Sequence, residues 1–181
     1  MLACVNRGEY SAILEAGRTG DTNLIPFLQA QMTGEPTDPP TEAAKMALAK
    51  LGVKKYLDET VAELTTTNSA LFEAYKKDGG CAFPDEEMRV RCAKQRTWET
   101  AFKKVAYIHN PSTVKVVAQF LYSTEHFQFA PDVPPWWASG YAYMTLRQMV
   151  DNPPALPAVR THEEEVHAWQ QWWEQNKDKY P

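Results

Sequence analysis

An apolar helix, a tight turn at a capping residue and a second apolar helix recur along this chain. The clearest copy runs Ala12-Ile13-Leu14-Glu15-Ala16-Gly17, then Gly20-Asp21, then Leu24-Ile25-Pro26-Phe27-Leu28. A second runs from Phe102 to Ile108, turns at Asn110-Pro111, and continues through Val114, Val117, Phe120 and Leu121. A looser third joins Ala47-Leu48-Ala49-Lys50-Leu51-Gly52 to Leu64. Each such hairpin leaves an apolar face that a neighbouring hairpin must cover, so the units are expected to stack. Stacked helical hairpins make binding surfaces more often than active sites.

Period-2 alternation of β-branched and aromatic residues never persists, whereas apolar residues at i, i+3 and i+4 recur almost throughout. The expected fold is therefore all-α, a single domain over residues 1–181 built of stacked helical hairpins. Gly17 and Gly20 end the first helix, and Asp21 caps the next. Thr41 is expected to cap the Ala-rich stretch from Glu42 to Leu51, and Asn68 or Ser69 to open a short helix through Phe72 and Tyr75. Pro84-Asp85-Glu86-Glu87 starts a long helix toward Ile108, with acids where the helix dipole favours them. Asn110 caps the following helix, with Pro111 at its first position. Glu125–Pro135 reads as an aromatic, proline-rich loop and Trp136–Val150 as a helix. Thr161 and Glu164 have the spacing of a capping box before a last helix that carries Val166, Trp169, Trp172 and Trp173.

The net charge is −4 and the basic residues are dispersed, so no attraction to nucleic acid is expected. No run approaches the roughly 18 apolar residues that a membrane span needs. Met1-Leu2-Ala3-Cys4 shows no leader. That suits a cytoplasmic protein, or a periplasmic or secreted one if these residues follow a processed start. The three cysteines lack CxxC spacing, which argues against zinc. Cys81 and Cys92 are close enough in sequence for one bridge, which would mark an oxidising compartment; the other reading is two free thiols.

The four histidines are His109, His126, His162 and His167. His162 and His167 are five apart, which on a helix puts them on different sides and makes a poor metal-ligand pair. His109, beside a turn, suits a helix C-terminus. His126, with Glu125 and Asp132 near it in sequence, is the one acid-base candidate. No nucleophile elbow, phosphate loop, dinucleotide glycine pattern or HExxH motif is present. No catalytic residue, metal or cofactor is assigned on that reading. Aromatic residues are the better lead. Phe127, Phe129, Trp136 and Trp137 flank the proline-rich loop and, with His126, form the candidate binding set, because binding hot spots draw on such side chains. The bland alternative is that these rings plug the gap between two hairpins. Trp169, Trp172 and Trp173 read as the docking face of a terminal hairpin.

The hairpins resemble HEAT repeats, in particular the short HEAT-like repeats of phycobilisome lyases. The residues that carry this are Ala16-Gly17 and Gly20-Asp21 ahead of Leu24-Ile25-Pro26-Phe27-Leu28, the helix end Ala47 to Gly52, and Asn110-Pro111 in place of the Gly-Asp turn. The closing Trp169-Gln170-Gln171-Trp172-Trp173-Glu174 resembles a tail found in bacterial HEAT-like proteins. The resemblance implies an α-α superhelix and no particular activity. The expected function is a non-enzymatic protein-interaction or scaffold module whose partner is a protein or peptide, not a small molecule. The alternative is an enzyme-accessory or lyase-like protein that holds a small ligand in a helical groove.

Overall fold

The computed structural model describes residues 7–34, 38–65, 69–77, 81, 83–128, 135–156, 158 and 161–180. Among these the fold is all-α, with nine α-helices and one pair of two-residue strands. Contacts divide the chain into two compact units, Met1–Ala62 and Glu63–Pro181. Among the described residues, no helix is long and apolar enough to cross a membrane.

In the first unit, α1 (Arg7–Arg18) leads through a 3-10 turn (Thr22–Leu24) to α2 (Ile25–Ala30), α3 (Pro39–Lys50) and most of α4 (Lys54–Thr65). The Asp21 carboxylate accepts the Asn23 amide at 2.9 Å, so the Gly-Asp turn is capped as its sequence predicts. Ala43, Ala44, Ala47 and Ala49 are fully buried beside Leu48. These small side chains let α1 and α2 both pack on α3, and the main helix contacts in this unit are those two. Thr41 does not cap α3. The helix begins at Pro39, where a missing N–H costs nothing, and Thr41 is buried within its first turn. At the other end Gly52 takes φ 88°, and Val53 N–H reaches Leu48 C=O at 2.9 Å. That left-handed closure is one a side chain at position 52 would strain.

The second unit holds α5 (Ala70–Lys77), α6 (Glu86–Ile108), and α7 (Pro111–Gln119), which runs into a 3-10 turn (Phe120–Tyr122). Then come β1 (His126–Phe127), β2 (Trp136–Trp137), α8 (Ala138–Met149) and α9 (His162–Asn176). Helix α8 is the hub, with α6, α7 and α9 all packed on it. Its first turn and a half, Ala138 to Ala142, is buried. Phe102 of α6 lies at the centre of this core, stacked on Tyr141 at 5.8 Å and edge-on to Phe120 at 5.3 Å. Full burial of a ring of that size contributes on the order of 2–3 kcal/mol.

Local signals set the helix ends. Asp85 accepts the amides of Glu87 and Met88, and the Asn110 side chain accepts that of Ser112 at 3.0 Å. Ser69 Oγ accepts the Phe72 amide at 3.1 Å; Asn68, the other candidate for this cap, lies outside the described residues, as does Asp78-Gly79-Gly80. His109 closes α6 at φ 54°, a left-handed position that histidine tolerates better than most side chains, and its N–H bonds Val105 C=O at 2.9 Å. The capping box of α9 closes both ways: Thr161 Oγ1 accepts the Glu164 amide at 3.3 Å, and Glu164 Oε2 accepts the Thr161 amide at 2.7 Å.

The reading of Trp136–Val150 as one helix needs correction. Trp136 and Trp137 are extended and pair antiparallel with β1, with His126 opposite Trp137 and Phe127 opposite Trp136; α8 starts only at Ala138. The Ala138 N–H donates to Glu125 C=O at 3.0 Å, so the ladder takes up an amide at the start of the helix. Bulky rings suit a pleated pair better than a crowded first helical turn.

Candidate binding groove

The groove is built in the second unit from three pieces of chain. The segment 121–124, the junction of β2 with α8, and the first turns of α9 enclose about 600 Å³. Packing of α9 on α8 brings its N-terminal residues to the start of α8, where Ser139 Oγ and His162 Nε2 lie 3.1 Å apart. Farther along α9, Gln170 Nε2 donates to Leu121 C=O at 2.8 Å, and Tyr122 donates its hydroxyl hydrogen to Glu174 at 2.8 Å. These bonds pin the 121–124 segment to the helix.

One wall is a column of rings. His126 lies 4.5 Å from Trp137, and Trp137 stacks on His162 at 5.2 Å with planes 23° apart. Tyr122, half exposed, stands opposite on the 3-10 turn. Its phenol is pushed up to about 12, first by burial and then by the hydrogen bond and charge of Glu174, so it is a neutral donor at any ordinary pH. Burial also holds the His162 imidazole below the usual histidine value, against the opposing pull of Glu163 and Glu165. A neutral His162 is the species that stacks on Trp137 and bonds Ser139. Glu163 and Glu164 bring carboxylates to the described lining, His167 brings an imidazole 2.9 Å from the Gln171 amide, and no lysine or arginine is among the described lining residues.

The candidate binding residues have separate fates. Trp137 forms a groove wall; His126 is exposed and lies outside the groove lining, with its ring tilted 34° to Trp137. Trp136 sits across the strand from that wall, 47 % exposed, with its ring 6.2 Å from Tyr141. Phe127 is corrected: it is 4 % exposed, edge-on to Trp98 at 5.3 Å, and offers no surface to a partner. Phe129 lies outside the described residues, as does Asp132, the suggested partner of His126. Trp169 and Trp173 are buried in the core, while Trp172 bonds Asn152 C=O through Nε1 at 2.7 Å. Tyr122 and Ser139 were not singled out from sequence, and Glu163 and Gln170 read there only as the polar outer face of the last helix. They meet only because α9 folds back on α8, and no local spacing encodes that.

The structure joins Cys81 to Cys92 by a disulfide, with Cα atoms 5.7 Å apart and both residues buried. It ties a residue four positions before Asp85, the α6 cap, to the second turn of α6. Among the described residues, no three His, Cys, Asp or Glu side chains converge as metal donors. Comparison with protein-family models, with curated proteins and with solved structures finds no match to this chain.

Proposed function

We propose that this protein is a non-catalytic binding module that takes an extended, basic segment of a partner protein in the groove between Tyr122, Trp137 and the start of α9. The observation that carries this reading is the pairing of an aromatic wall with lining charges of one sign, from Glu163 and Glu164. Aromatic surface gives a side chain or peptide bond a large, stiff contact, and carboxylates select lysine or arginine over acidic residues. His126 supports binding rather than acid-base work, since its ring lies on Trp137 and its Nδ1 is 3.4 Å from the Thr124 carbonyl. The resemblance to HEAT-like repeats points the same way, because folds of that kind present grooves to proteins.

The test uses fluorescence anisotropy with labelled decapeptides of equal length that carry lysine and arginine, only neutral residues, or glutamate. Basic peptides should bind best, and Trp137→Ala should weaken them by about tenfold or more, the scale of a hot-spot loss. Glu163→Gln should erase much of the preference for charge. Equal affinity for all three peptides, or a Trp137→Ala protein that binds as well as the parent, would sink the reading.

A further inference from the structure

A second cavity lies on the other side of the segment that walls the groove. Ser123 lines both, and Glu125 reaches into the second, a cleft of about 300 Å³. Its apolar walls are Leu64, Phe72, Trp98 and Phe120, three of them aromatic. At its mouth the Lys94 ammonium sits 5.0 Å from the centroid of the Trp98 ring and pairs with the Glu125 carboxylate. The two partners differ in character. The Lys94 side chain is 24 % exposed and rises from the middle of α6, whereas that of Glu125 is 53 % exposed. The Glu125 backbone is held by other means, its C=O by the Ala138 amide and its N–H by Ser123 Oγ. Its carboxylate can therefore leave Lys94 without disturbing the fold.

With the Glu125 carboxylate turned away, the polar rim keeps several donors. Lys94 has three N–H bonds, Gln119 carries an exposed amide, and the Ser123 hydroxyl, which accepts from Glu125, keeps its own hydrogen to give. Thr97 has already given its hydroxyl hydrogen to Ala93 C=O at 2.7 Å. Anionic oxygen is what such a rim satisfies. The volume stands at the small end of the roughly 300–1,000 Å³ of ordinary ligand pockets.

We propose that this cleft binds a small aromatic monocarboxylate, with its ring among Phe72, Trp98 and Phe120 and its carboxylate on Lys94 in place of Glu125. Glu125 is then a resident surrogate for the ligand's charge. Removing it should tighten binding, a result that a merely structural ion pair would not give. Surface pairs are worth little in themselves, so its loss should leave the fold intact.

The experiment is isothermal titration calorimetry of the full chain with indole-3-acetate, using indole-3-acetamide as the uncharged counterpart. The acid should bind at least about tenfold tighter than the amide, Lys94→Met should remove that difference, and Glu125→Gln should strengthen acid binding about threefold or more. Chemical-shift perturbation should place the acid at Trp98 and Phe120. The proposal is overturned if neither compound binds, if acid and amide bind alike, or if Glu125→Gln weakens the acid. Should Lys94→Met fail to fold, the acid–amide comparison on the parent protein decides alone.

Discussion

Lys104 and Glu63 form a buried ion pair, Nζ 2.8 Å from Oε2, with side chains 6 % and 20 % exposed. The lysine is the more deeply placed partner, and removing Glu63 takes a close counter-charge away from a buried ammonium. Glu63→Ala should therefore lower unfolding free energy by about 3–5 kcal/mol, while the paired change to Lys104→Met and Glu63→Leu should recover most of that loss. Urea midpoints of the three proteins measure it. A double variant as unstable as Glu63→Ala would mean that packing around the pair, not its charge, is at stake.

The Cys81–Cys92 bridge closes a short loop, with a sequence separation of 11. A loop of that size restrains the unfolded chain by about 2–3 kcal/mol. Thiol counting on protein denatured without reductant should give one reactive thiol, that of Cys4, and adding reductant should shift the urea midpoint downward by a matching amount. Three thiols without reductant would refute the bridge.

His162 gives the fold a dependence on pH. Its folded value lies below the usual 6.5 because burial disfavours the imidazolium, so the unfolded chain takes up the proton first. That contribution is present in full above about pH 6.5 and is lost as the pH falls through the folded value. Denaturation midpoints at pH 7.5 and at pH 5.5 should differ by more in the parent than in His162→Gln. Parallel curves for the two proteins would show that His162 plays no part.

Phe127 and Trp136 face each other across the strand pair and should respond in opposite ways to truncation. Phe127→Ala opens a hole against Trp98 and should cost about 3–5 kcal/mol. Trp136→Ala removes a ring that is 47 % exposed and should leave the melting temperature nearly unchanged. Thermal unfolding by circular dichroism separates them, and a large loss from Trp136→Ala would place that ring among the structural ones.

The helical class and most helix ends, though not the starts of α3 and α8, were legible because their causes are local. Asp21, Asp85, Asn110 and Thr161 each act on an amide two or three residues away, and sequence displays such neighbours directly. The exposure of the loop aromatics was not legible. In a two-residue strand, which ring turns inward depends on register, and here the register points Phe127 at Trp98, far off in sequence. Packing order was hidden for the same reason: the apolar spacing of α6 and α7 announces buried faces but not that both lie on α8. Of the candidate binding residues, Trp137 alone is seen in the groove lining. Tyr122 and Ser139 carry no local signal, since they line one groove only through the return of α9.

The pairing of His126 with Trp137 and of Phe127 with Trp136 also bears on how this protein could change over time. It ties a core ring to a groove wall, because one register places Phe127 against Trp98 and Trp137 in the groove lining. A substitution that shifted the register would disturb both at once, so drift in these four residues is constrained from two sides.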